Sequence, residues 1–346
     1  MNFSNALLNA MSIHYVGNRT EADDIFISKQ SLSLNEELSS LLTDYFLHRF
    51  VHVYDQFKFA HATSLQYNET YNYCNNILDD ATMLHPISIS IAKHLHNNSS
   101  HPKIKSGELH VCHFSNCEVD GKLVDAVGIF KTENKSSFFE VNQQQQDFEI
   151  TYKQGIDLSK FDKGCLVLNT NKEAGFDVLI IDNQNKGDEA IYWKDLFLGL
   201  ASQENIYHQT NQFLSIAKGF VTKQLDGEFE VSKADKIDLL NRSVEYFKTH
   251  DEFDKNEFEE EVFVNKEIIK SFRSYDESYR QSHEIELEDT FEISPQAVKK
   301  QARVFKSVLK LDKNFHIYIH GNRELIEQGI EKDGRKFYKI YFNEEN

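Results

Sequence analysis

The chain has 346 residues, with 55 Asp and Glu against 38 Lys and Arg, giving a formal net charge of -17. That length and its 40% hydrophobic content can build two cores, and 27 Phe with 15 Tyr beside only 3 Pro exclude a disordered chain. A polyanion such as DNA can approach so acidic a protein only at a local concentration of positive charge. No apolar run reaches the roughly eighteen residues of a membrane helix, and no basic leader precedes the apolar stretch near the start, so neither a membrane nor a secreted location is expected. The four cysteines, Cys74, Cys112, Cys117 and Cys165, are scattered without CxxC spacing, as suits buried thiols in a reducing cytoplasm.

In chain order, Ser31–Tyr73 has helix-like apolar spacing, and a second helical stretch covers Tyr71–His96. From Ser106 the pattern becomes β-rich. ELHVCHFSNCEV and KLVDAVGIFKTE flank Asp120-Gly121, a hairpin signal. SSFFEV, DFEITYK, GCLVLNT and FDVLIIDN follow at intervals too short for intervening helices, which predicts an antiparallel meander. AIYWKDLFLGL begins a return to helix, and from Lys223 onward the chain is acidic and mostly helical. NFHIYIH and KFYKIYF alternate as strands near the end, the second after an Asp333-Gly334 turn. The expected class is α+β. N-terminal helices and a β-meander occupy 1–222, and a mostly helical domain over 223–346 ends in a helix plus small antiparallel β-structure.

Between those strands and the acidic helices lies Pro295–Lys310, PQAVKKQARVFKSVLK. Ser294 can cap a helix there, and Pro295 suits its first turn. At about 100° per residue, Lys299, Arg303, Lys306 and Lys310 fall on one stripe beside Lys300, with no carboxylate among them. Residues 226–292 hold 21 acidic and 9 basic residues, whereas 295–342 hold 11 basic and 5 acidic. The stripe therefore admits three readings: phosphate contacts on DNA, an ordinary solvated helix face, or a clasp to carboxylates of the acidic segment. As a DNA site it comprises Lys299, Lys300, Arg303, Lys306, Lys310 and Lys313. Because Arg303 is the only forked donor of the stripe, weak sequence preference is expected.

Four segments, GIFKTENK (Gly128–Lys135), KGCLVLN (Lys163–Asn169), AIYWKDLFL (Ala190–Leu198) and FKSVLKLDKNFHIYIHG (Phe305–Gly321), occur in this order. Together they make the chain resemble the 37-kDa nucleoid-associated protein family of bacteria, across essentially its whole length. The resemblance implies a cytoplasmic α+β protein that associates with the nucleoid and binds DNA, with no catalytic residues to carry over; duplex DNA is the expected partner, and no cofactor is expected. The reading is a non-enzymatic DNA-associated protein. Its alternative is an interaction adaptor recruited by another nucleoid protein.

Other chemistry is weaker. Asp125 followed by Glu133-Asn134-Lys135 resembles the carboxylates and lysine of metal-dependent nucleases, but E-x-K is frequent by chance, and a charged strand end is the favoured reading. His94, His96 and His101, and the strand group His110, Cys112 and His113, lack spacing that converges on one metal. No GxxxxGK[ST], no GxGxxG after a strand and no GxSxG is present.

Overall fold

The computed structural model describes residues 1–145, 147–183, 192–203, 205–283, 285–303, 305, 308–312, 314–319 and 325–344. The chain forms two compact units, Met1–Gln203 and Glu204–Asn346. This division and the one expected at 222/223 differ by the helix Ile206–Gly219, whose Phe213, Leu214, Ile216 and Ala217 are buried in the second unit's core.

In the first unit the elements run β1 (Leu7–Val16), α1 (Glu36–Leu47), β2 (Gln56–Phe59), α2 (Glu69–Asp79), α3 (Leu84–Asn98), β3 (Gly107–Val119) and β4 (Lys122–Thr132). They continue with β5 (Ser136–Gln144), β6 (Asp147–Gly155), β7 (Lys163–Leu168), β8 (Asp177–Asp182) and β9 (Leu200–Ser202). Seven strands make one antiparallel sheet in the order β1-β3-β4-β7-β8-β2-β9. Its central strands are apolar on both sides because both faces are covered. Val127, Ile129, Cys165 and Val167 pack with Cys74, Ile77, Ile91 and Leu95 of α2 and α3 on one face. Ala126, Phe130, Leu166 and Leu168 pack with Phe46 and Phe50, on and just after α1, on the other.

The expected helices at Tyr71–His96 are present as α2 and α3, and the Asp120-Gly121 turn has φ of 49° and 76°, the paired positive values of a tight hairpin. Three expectations change. The helical stretch Ser31–Tyr73 breaks after α1, and its QFKF becomes β2, where backbone pairing with β8 and β9 overrides the local helical period. The meander keeps β3, β4, β7 and β8, but β5 and β6 leave it to form a separate two-stranded ribbon. In AIYWKDLFLGL, Tyr192–Leu198 is a π-helical turn that buries Trp193 and Phe197, and β9 follows at once.

The second unit contains α4 (Ile206–Gly219), α5 (Leu225–Glu228), α6 (Lys233–Thr249), β10 (Glu252–Asp254), α7 (Lys255–Val262), α8 (Lys266–Ser282), β11 (Thr290–Glu292) and α9 (Pro295–Ala302). Four short strands close it. β12 (Val308–Leu311) pairs with β13 (Phe315–Tyr318), and β14 (Ile326–Ile330) pairs with β15 (Lys336–Ile340). The core is strongly aromatic: Phe213, Phe247, Phe253, Phe258 and Phe272 pack edge-on, tilted or stacked within 4.2–6.3 Å of one another. No described helix is long and apolar enough to cross a membrane.

Candidate nucleic-acid interface

The basic helix is half the length its sequence period predicts. Ser294 caps it by accepting from the Ala297 N–H, Pro295 occupies its first turn, and the helix ends at Ala302 with Arg303 as its C-cap. Beyond that point the chain serves a second pattern. Val308–Leu311 pairs with Phe315–Tyr318, and Leu309 is buried with Ile237, Ile319 and Ile326. Strand pairing plus a small core of its own overrides the continuing helical spacing. The stripe of Lys299, Arg303, Lys306 and Lys310 on one helix is therefore not formed. Lys299 and Arg303 remain neighbours, while Lys310 lies on β12 opposite His316. Lys306 and Lys313 lie outside the described residues.

α9 is held firmly on the core. Ala297 and Val298 are buried, the Ser294 N–H donates to Thr210 Oγ1 at 3.0 Å, and the Gln301 side chain donates to Asn211 and Ser215 of α4. That seating leaves Lys299, Lys300 and Arg303 exposed. Lys300 Nζ stands 5.5 Å from the centroid of the Tyr207 ring. Lys299 and Arg303 line a groove of about 440 Å³, with Phe247, Ile293 and Val298 among its apolar walls and Lys248, His250 and Asp251 also bordering it.

Three carboxylates of the acidic segment are committed elsewhere. Lys255 and Arg280 hold the buried Asp276 at 2.6 and 2.7 Å, Arg273 holds the buried Glu259 at 2.6 Å, and Lys236 holds Asp226 at 2.6 Å. Among the described residues, neither Lys299 nor Arg303 forms an ion pair, although Asp251 of the acidic segment borders the same groove. Lys248 joins the same groove, though no local spacing announces it, and it is shared with Glu245 at 3.3 Å.

The nuclease arrangement does not form. Asp125 lies on β4 with its carboxylate 3.7 Å from His113, whereas Glu133 lies just past the strand's far end. Eight residues of extended chain put these positions roughly 25 Å apart, too far to share a cation. Lys135 pairs with Glu108 at 2.5 Å. Glu133 turns inward to Lys131 at 3.2 Å and Lys163 at 3.4 Å, accepts a hydrogen bond from the Tyr192 hydroxyl at 3.2 Å, and leaves only 3% of its side chain exposed. Burial lowers the pKa of the Lys131 ammonium, and its Nζ also donates to the Lys105 carbonyl. This is a closed structural ion network.

The histidines behave as ordinary polar groups. His94 meets Glu69 at 2.6 Å, and the buried His110 meets Thr132 Oγ1 at 3.2 Å. All four cysteines are free and buried, and burial pushes the Cys117 thiol up to about 12. Among the described residues one three-donor set could hold a cation, and the histidine spacings considered above miss it: His250, Glu257 and Glu261, with donor atoms within 4.8 Å of one another. The i,i+4 spacing of the two glutamates is its only signal in the sequence.

No curated protein matches the chain. The family model NA37, described as nucleoid-associated protein YejK, matches residues 12–335. That span includes the seven-stranded sheet almost entirely, the aromatic core and α9 with its basic residues, so the chain belongs to the NA37 family of nucleoid-associated proteins.

Proposed function

We propose that this nucleoid-associated protein binds duplex DNA directly and without catalysis, chiefly through phosphate contacts from Lys299, Lys300 and Arg303. The observation that carries this reading is the α9 groove, where Lys299 and Arg303 stand exposed and, among the described residues, outside any ion pair. An ammonium or guanidinium in that state can replace a counterion at a phosphate without first breaking an internal bond. Lys306, Lys310 and Lys313 belong to the same proposed site by sequence and widen it if they follow the same surface. Contacts of this kind orient a duplex and read little sequence.

Fluorescence anisotropy across salt concentrations tests the reading. Each neutralised phosphate contributes about -0.9 to the slope of log K against log salt, so three contacts give about -2.7. Changing Lys299→Glu together with Arg303→Glu is expected to weaken duplex binding on the order of 10–100-fold at low salt and to flatten that slope. Unchanged affinity in that variant, with the fold intact by circular dichroism, defeats the proposal.

A second reading is an adaptor carried to the nucleoid by another protein. The net charge of -17 speaks for it, since most of the surface repels DNA. Purified protein that binds no DNA at low salt, yet binds a basic nucleoid protein, selects it.

A further inference from the structure

Where α6 gives way to α7, His250, Glu257 and Glu261 bring one imidazole nitrogen and two carboxylate oxygens within 4.8 Å of one another. His250 caps the end of α6, and the two glutamates stand about one turn apart on one face of α7. The core beneath pins both helices. Tyr246, one turn before His250, and Phe258, which lies between the glutamates, are both buried, and their rings meet edge-on at 5.3 Å. Two packed helices, rather than a loop, therefore carry the three donors.

The imidazole is held in one tautomer. Its Nδ1 lies 2.9 Å from the Tyr246 carbonyl, which can only accept, so Nδ1 carries the hydrogen. In the neutral ring the Nε2 lone pair is then turned toward the Glu261 carboxylate, 3.7 Å away and beyond hydrogen-bond reach. Stacking on the Tyr246 ring, with 4.2 Å between centroids and 17° between planes, sets the direction of the imidazole. The Tyr246 hydroxyl donates to Glu257 at 2.9 Å and orients a second donor. One buried tyrosine thus supports two of the three groups, the kind of outer support that metal-binding histidines and carboxylates have. The charge is uncompensated as well. Among the described residues neither glutamate pairs with a lysine or arginine, and like charges four residues apart on a helix repel. Two carboxylates and a neutral imidazole carry two negative charges between them, the complement of a divalent cation.

We propose that His250, Glu257 and Glu261 bind a zinc-type divalent ion, one per chain. One nitrogen with two oxygens suits Zn²⁺ better than Mg²⁺ or Ca²⁺, which take oxygen ligands. Around a tetrahedral zinc, donors at about 2.0–2.2 Å stand roughly 3.4 Å from one another. Both glutamates are exposed, so rotation of their side chains closes the remaining gap without moving either helix. Three protein donors leave a fourth position for water.

Isothermal titration calorimetry of the chelator-treated full chain with zinc chloride tests the site. One zinc per chain at micromolar affinity is expected, and millimolar magnesium should not displace it. Glu257→Gln with Glu261→Gln removes two donors at exposed positions, so circular dichroism should match the parent while zinc affinity falls on the order of 100-fold. His250→Ala is expected to lose the same binding event. Zinc taken up with unchanged affinity by the double glutamine chain places the ion elsewhere and overturns the proposal. A parent chain that binds no zinc at micromolar concentration overturns it equally, and so does one from which millimolar magnesium displaces the ion.

Discussion

Glu133 illustrates how much the meaning of a charged residue depends on its surroundings. Read along the chain it belongs to an E-x-K, but in space its partners are Lys131 and Lys163, both with fully buried side chains. Glu133→Ala leaves two ammonium groups in the interior with less compensation, and a loss of about 3–5 kcal/mol in urea unfolding is expected. His110 makes a second prediction. Burial lowers its pKa to about 4, and its Nδ1 has no hydrogen-bond partner among the described residues. The unfolded imidazole takes up a proton near pH 6.5, so the folded state binds protons more weakly. The contribution is full above that pH and is lost as pH falls toward 4, by about 3 kcal/mol in total. Unfolding midpoints at pH 7 and pH 4.5 should therefore differ less in a His110→Gln chain than in the parent. Neither the buried network nor the orphaned ring nitrogen was legible in the sequence, because each depends on partners from separate strands.

At the scale of elements, cap and turn chemistry was readable and termination was not. Ser294, Pro295 and the Asp120-Gly121 pair act as their residue types require. The end of α9 was hidden because Phe305 and Leu309 fit a helical face as well as they fit the places they actually occupy. Leu309 is claimed by Ile237, Ile319 and Ile326, contacts that no local window contains. The ribbon was misplaced for a similar reason: strict alternation describes a strand inside a sheet and one projecting from it equally well. The cap also matters to the proposed site, since α9 is only eight residues long. Ser294→Ala is expected to cost about 1 kcal/mol in denaturant unfolding and to lower DNA affinity modestly by loosening the backbone under Lys299.

At the scale of the whole molecule, the class and the strand-rich first half followed from composition and spacing, whereas the unit boundary depends on which core claims α4. Phe213 and Phe220 contact Phe272 from opposite ends of that claim, and removing them would open the second core. A fragment of residues 204–346 is therefore expected to melt as one cooperative transition by circular dichroism, and a fragment of 223–346 to lack one. On the proposed reading, the fragment 204–346 should also retain whatever salt-sensitive DNA affinity the full chain has for a single site.

The shortness of α9 has a consequence for how such a protein could stay on a chromosome. On the proposed reading, three phosphate contacts make a site that exchanges quickly at cellular ionic strength. In a particle that holds two copies of the chain, two such sites are present, and the second engages at a locally raised concentration set by the tether rather than by bulk supply. Residence can then rise 10²–10⁴-fold with no stronger contact anywhere, provided both sites reach DNA together. Occupancy would depend steeply on protein concentration, so a modest change in cellular amount would act as a graded control over compaction.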